Sequence, residues 1–114
     1  MFKTTFTFAL KNSRVATSRD VEHYIQNAMD YVTFTEPTDN SVHHPEGATW
    51  TEHVGAYTMQ DGELVTEPSY SIEILTENPV DAFGVRVFVD VIKAVEVQES
   101  VMVELNSLVN VKFM

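Results

Sequence analysis

The sequence predicts an α+β fold: a single domain over residues 1–114, ordered β-α-β-β-α-β, with two helices on one face of an antiparallel sheet. Three observations predict it. Apolar residues alternate with polar ones near the N-terminus, over residues 48–76 and near the C-terminus; a capped amphipathic stretch covers residues 17–32; and helix-start signals precede the apolar residues 80–95.

In the first strand, Phe2, Thr4, Phe6 and Phe8 alternate with Lys3, Thr5 and Thr7, a period of two in β-favouring residues that reaches about Leu10 before Lys11-Asn12-Ser13 ends it. Thr17 or Ser18 can cap the helix that follows, and Asp20 stands three residues after Thr17, where a capping box needs its acid. Val21, Tyr24, Ile25, Ala28, Met29 and Val32 then fall on one helical face. Residues 33–47 hold two Pro, a Gly, Asn40, Ser41 and the pair His43-His44 without a period, and read as a long loop.

Residues 48–76 read as a hairpin turned at Gln60-Asp61-Gly62, because Asp-Gly supplies the positive φ of a tight turn. On its second arm Tyr70, Ile72 and Ile74 point one way and Ser69, Ser71 and Glu73 the other. Asn78-Pro79-Val80-Asp81 then supplies a cap, a Pro at the first helical position and an acid in the first turn. Val85, Val87, Val89 and Val91 alternate as a strand would. Val80, Phe83, Val87, Phe88, Val91 and Val95 also fit a helix, and the start signals, with polar Arg86, Asp90 and Lys93 on the other side, favour the helix. Val101, Val103 and Leu105, then Val109, Val111 and Phe113, predict one or two closing strands. This order is the ferredoxin-like split βαβ arrangement. Its uncovered sheet face, partly polar, predicts contact with further copies in a closed cyclic oligomer.

Composition narrows the function. Seven Lys and Arg against 17 Asp and Glu give a net charge of −10, which repels nucleic-acid phosphates and anionic lipid, so neither is an expected partner. The absence of Cys removes disulfides, thiolate metal sites and thiol nucleophiles. No apolar run is long enough for a membrane span and the N-terminus has no signal-peptide pattern, so a cytoplasmic location is expected. His43-His44 and Glu52-His53 are adjacent pairs, which cannot share a face as metal ligands do at i, i+2 in a strand or i, i+4 in a helix; no metal and no cofactor are expected. No Gly-x-Ser-x-Gly elbow and no phosphate-binding glycine loop occur.

Three of the four glycines and the only Trp fall in the hairpin: Gly47-Ala48-Thr49-Trp50, Gly55-Ala56-Tyr57, Gly62-Glu63, then Glu67-Pro68-Ser69-Tyr70-Ser71-Ile72-Glu73-Ile74. Glycines at bends and packed aromatics explain part of this pattern. Pro68 cannot donate to a ladder, which places Glu67 at an edge, bulge or subunit boundary where its carboxylate can meet a ligand, with Tyr57 across the hairpin.

An aromatic residue near Gly, a short hairpin, and an acid followed by Ser-aromatic and alternating Ile, all between the two helices of a βαββαβ chain, resemble the PII-like and CutA-like superfamily. By element order the resemblance covers nearly the whole chain. Through Tyr57 and Glu67 it looks most like the phage-encoded S-adenosylmethionine-degrading enzymes that counter host restriction. It implies a homotrimer with ligand clefts between subunits, and a lyase that releases methylthioadenosine and homoserine lactone. Glu67 and Tyr57 would be the key side chains, and Trp50, Ser69 and Tyr70 would be neighbours of the substrate. The substrate's own carboxylate can displace the thioether, so no metal, base or covalent nucleophile is needed.

Two other readings stand beside this one. A non-catalytic PII/CutA-like ligand sensor would show a basic cluster for phosphates, and the hairpin offers none. An acidic protein that occupies a cationic partner surface would carry dense acidic runs, whereas the acids here are scattered.

Overall fold

The computed structural model describes residues 1–111 and 114. Strand β1 is Phe2–Phe8, helix α1 Ser18–Tyr31, and the short strands β2 and β3 are Phe34–Thr35 and Val42–His43. Strands β4 and β5 are Ala48–Thr58 and Leu64–Thr76, helix α2 is Ala82–Glu96 and β6 is Met102–Leu108. The main sheet is antiparallel with order β4-β5-β1-β6, and β2 pairs with β3 in a two-stranded ribbon. Residues 33–47, expected as loop alone, therefore carry this ribbon; two-residue strands are too short to show a period.

Period two sorts the sheet into two faces. Thr4, Phe6 and Phe8 of β1 and Tyr70, Ile72, Ile74 and Thr76 of β5 are buried. Phe6 meets Phe88 of α2 edge to face at 4.8 Å, and Phe8 meets Tyr24 of α1 at 5.3 Å, so both helices cover this face. The other face is polar: Lys3 pairs with Glu73 at 3.6 Å, and Ser71 shares hydrogen bonds with Thr7 at 2.8 Å and His53 at 2.9 Å.

Helix α1 begins as expected, with a complete capping box between Thr17 and Asp20. Its face is also as expected, since Tyr24, Ala28 and Val32 are buried. The alternating valines of residues 85–91 are helical, but two details differ. Asp81, not Asn78, is the N-cap of α2. Residues 78–80 are already engaged: Val80 bridges Phe34 and donates its N–H to Asn106 Oδ1 at 2.9 Å, and Asp81 accepts from Thr33 and Thr35 hydroxyls at 3.0 and 3.1 Å. The buried face of α2 is Gly84, Val85, Phe88, Ile92 and Glu96, whereas Phe83 is 79% exposed and Val95 lies outward. Outside the polar stripe of Arg86, Asp90 and Lys93 the apolar arc is wider than one buried face, so periodicity leaves the rotation of α2 open, and the close approach of Gly84 to Tyr31 of α1 fixes it.

One strand, β6, closes the sheet. Asn106 sits at φ 50° where the β1–β6 register shifts between Lys3 and Thr5, a bulge that turns Leu105 outward while Val103 packs on the core. Val109 and Val111 lie outside any strand, and Phe113 lies outside the described residues.

Candidate functional site

Strand β5 has two halves. Tyr70 to Ile74 pair with β4 on one side and β1 on the other, but β1 stops at Phe8, opposite Tyr70, so among the described residues Leu64 to Ser69 keep only β4 as a neighbour. Pro68, opposite Val54, lies in this single-neighbour half, where its missing N–H costs no ladder bond on the free side. The hairpin therefore runs past the core as an arm, which lengthens the molecule to 56 × 29 × 26 Å.

Glu67 stands on that arm, half-buried and opposite Gly55. Its Oε2 accepts a hydrogen bond from the Ser13 hydroxyl at 2.9 Å. Among the described residues no Lys or Arg forms an ion pair with it. Ser69 is half-buried two residues along the same strand, opposite His53. Tyr57 faces Val65 in the backbone register, two positions nearer the turn than Glu67; its side chain lies outside what is described.

Trp50 and Tyr70 come together elsewhere. Their rings stack at 5.2 Å, and Trp50 also meets Phe8 edge to face at 6.0 Å, on the face that the helices cover. Tyr70 is 1% exposed, and its hydroxyl accepts the backbone N–H of Ala16 at 2.8 Å. Tyr70 thus packs in the core and does not line a surface with Glu67. Trp50 Nε1 is buried without a hydrogen-bond partner among the described residues.

The turn that carries Ser13 rests on a buried carboxylate. Glu96, at the end of α2, is 3% exposed. Its Oε1 accepts the Lys11 backbone N–H at 2.9 Å and lies 3.6 Å from Arg14 Nη2, while its Oε2 accepts the Tyr24 hydroxyl. Burial, reinforced by Glu96, pushes the Tyr24 phenol well above its ordinary range, so it stays a donor. Arg14 grips Asp20 through two hydrogen bonds of 2.7 and 2.8 Å, and Asp20 raises the guanidinium further.

Sequence reasoning missed Ser13, Arg14 and Glu96. One signal was present: Glu96 lies four residues after Ile92 on the stripe of Val85 and Phe88. Among the described residues no group of three His, Asp or Glu side chains is placed to hold a metal. His44 Nδ1 donates to the Met29 carbonyl at 2.9 Å, and His43 bonds Ser41 at 2.8 Å. A cavity of about 340 Å³ opens beside the β2–β3 ribbon, lined by Phe34, Glu36, His43, His44 and Glu46 among others, and contains none of the residues on the arm. Among the described residues no helix is long and apolar enough to cross a membrane. No family model matches the chain, and neither a curated protein nor a solved structure matches it.

Proposed function

We propose that the chain is an S-adenosylmethionine lyase of the PII/CutA-like, ferredoxin-like type, working as a homotrimer whose sites lie where the arm meets a second copy. The observation that carries this reading is Glu67: a half-buried carboxylate on a strand edge without a β1 neighbour, and without a cationic partner among the described residues. An edge of this kind offers backbone groups to another chain, and the carboxylate offers a charge to a cation. The net charge of −10 draws in a substrate that carries a sulfonium and an ammonium against one carboxylate.

The chemistry asks little of the protein. The substrate carboxylate attacks its own γ-carbon, a C–O bond forms as the C–S bond breaks, and the sulfonium leaves as neutral methylthioadenosine. The lactone retains the ammonium. Opposite charges merge in the transition state, so a site that folds the chain into a near-attack conformer and excludes water accelerates the step. Glu67 would hold the cationic region, Tyr57 would orient the amino-acid end, and Ser69 would border the substrate.

The test is consumption of S-adenosylmethionine by the purified protein without added metal, with products followed from the earliest times in ¹⁸O water. The expected first products are methylthioadenosine and lactone, with homoserine appearing later and carrying solvent oxygen. Glu67→Gln should lower turnover about a hundredfold or more, the scale of losing one desolvated charge contact, while the assembly stays intact. Homoserine formed at the rate of substrate loss would mean hydrolysis, with His53 the nearest base in sequence. A thermal shift with nucleoside triphosphate and no turnover would favour a ligand sensor instead.

A further inference from the structure

The turn between β1 and α1 is built in an unusual way. Asn12 and Ser13 both occupy the left-handed region, at φ 58° and 53°. Asn visits this region readily, whereas Ser13 beside it holds the conformation where its surroundings impose it. Here the surroundings are Ser13 N–H to the Leu10 carbonyl at 3.0 Å, Arg14 N–H to the Lys11 carbonyl at 3.4 Å, and the Glu96 carboxylate fastened to Lys11 N–H at 2.9 Å. The Arg14 guanidinium and the Tyr24 hydroxyl complete the clamp.

Among the described residues, the turn makes one side-chain hydrogen bond to the sheet. It lies against β5 where β1 no longer pairs, and it aims the Ser13 hydroxyl at Glu67 Oε2. An exposed hydrogen bond of this kind adds little to stability. A buried carboxylate clamp and a left-handed serine are out of proportion to that one hydrogen bond if stability is their only purpose.

We propose that Ser13 is the positioning residue of Glu67: its hydroxyl ties Oε2, fixes the orientation of the carboxylate and leaves Oε1 to receive the cationic group of the ligand. Glu96 holds the turn that makes this possible. The inference rests on Glu67 being the cation-binding residue of a lyase, and it adds a residue and a division of labour between the two carboxylate oxygens.

Ser13→Gly tests it, because glycine relieves the left-handed backbone and removes the hydroxyl together. The expected result is a Tm equal to or above that of the unaltered protein, with KM for S-adenosylmethionine raised about tenfold and kcat changed less. Ser13→Asn keeps a donor and tolerates the left-handed region, and should restore KM to within about threefold. A Ser13→Gly protein with unchanged KM, while Glu67→Gln is inactive, overturns the inference and spares the lyase reading. A lowered Tm with kcat reduced and KM unchanged makes Ser13 purely structural, and failure of Ser13→Asn to restore KM removes the donor role. If the unaltered protein neither binds nor consumes S-adenosylmethionine, the lyase reading fails and this inference falls with it.

Discussion

Asp20 serves two partners at the head of α1. It closes the capping box with Thr17, accepting the Thr17 N–H at 2.8 Å, and it receives both hydrogen bonds of the Arg14 fork. The Arg14 hydrogen bonds, opposed by desolvation and helped by Thr17, hold its carboxyl well below the usual carboxylate range. A group whose folded pKa is depressed stabilises the fold above its unfolded pKa, here near 3.8, and loses that contribution as the pH falls further. Asp20→Asn should therefore be less stable than the unaltered protein at pH 7, yet lose less additional stability between pH 4 and pH 2. Urea midpoints at the three pH values check this, and parallel losses in the two proteins would refute it. The capping box was legible because Thr17 and Asp20 stand at fixed spacing before an apolar period. Arg14 was not, because its partner is chosen by the path of a loop.

At the scale of elements, α1 and α2 are joined by the Tyr24–Glu96 hydrogen bond and pack backbone against backbone at Gly84. A Cβ on Gly84 would lie 2.1 Å from the Tyr31 carbonyl oxygen, a backbone atom that cannot swing aside. In an exposed helix Gly→Ala gains up to about 1 kcal/mol. Here the helices would have to separate, so Gly84→Ala should cost about 3 kcal/mol, the upper part of the overpacking range. A lowered urea midpoint at unchanged slope is the expected signature; a raised midpoint would mean that the helices are not in contact there. The hairpin of β4 and β5 was legible from its period and its Asp-Gly turn, and Pro68 marked its free edge. The rotation of α2 was not, since Phe83, Val87, Val91 and Val95 are as apolar as the residues that face inward. Parity along the hairpin already separates Trp50 and Tyr70 from Glu67 and Ser69, so part of the site's division lay in the sequence.

For the whole molecule, the arm sets the expectation of assembly. Beyond the helices it exposes Val54 by 79% and Leu64 by 66%, a surface that a second copy would cover. Light scattering should give the mass of three chains. Val54→Asp should shift the mass towards that of one chain, with the far-ultraviolet circular dichroism unchanged. Each copy carries a charge of −10, so copies repel one another and salt should tighten the assembly by screening that repulsion. A single-chain mass at every salt concentration would remove the trimer and with it the shared site. A cyclic assembly was expected from the sequence only as a polar face in need of cover; which surface a second copy would meet depends on the arm, whose length beyond β1 no period reveals.

The central place of β1 also bears on how the chain acquires its structure. Its pairing partners, β5 and β6, lie at residues 64–76 and 102–108, so the first strand made by the ribosome must wait for the last before the sheet is complete. The β4–β5 hairpin joins neighbours in sequence and closes its loop at small entropic cost, whereas the β1–β6 seam closes nearly the whole chain. Loop entropy thus favours folding from the hairpin outward, and the distant β1–β6 pairing is expected to slow it. Until β6 arrives, β1 remains an open edge for which chaperones and other nascent chains can compete.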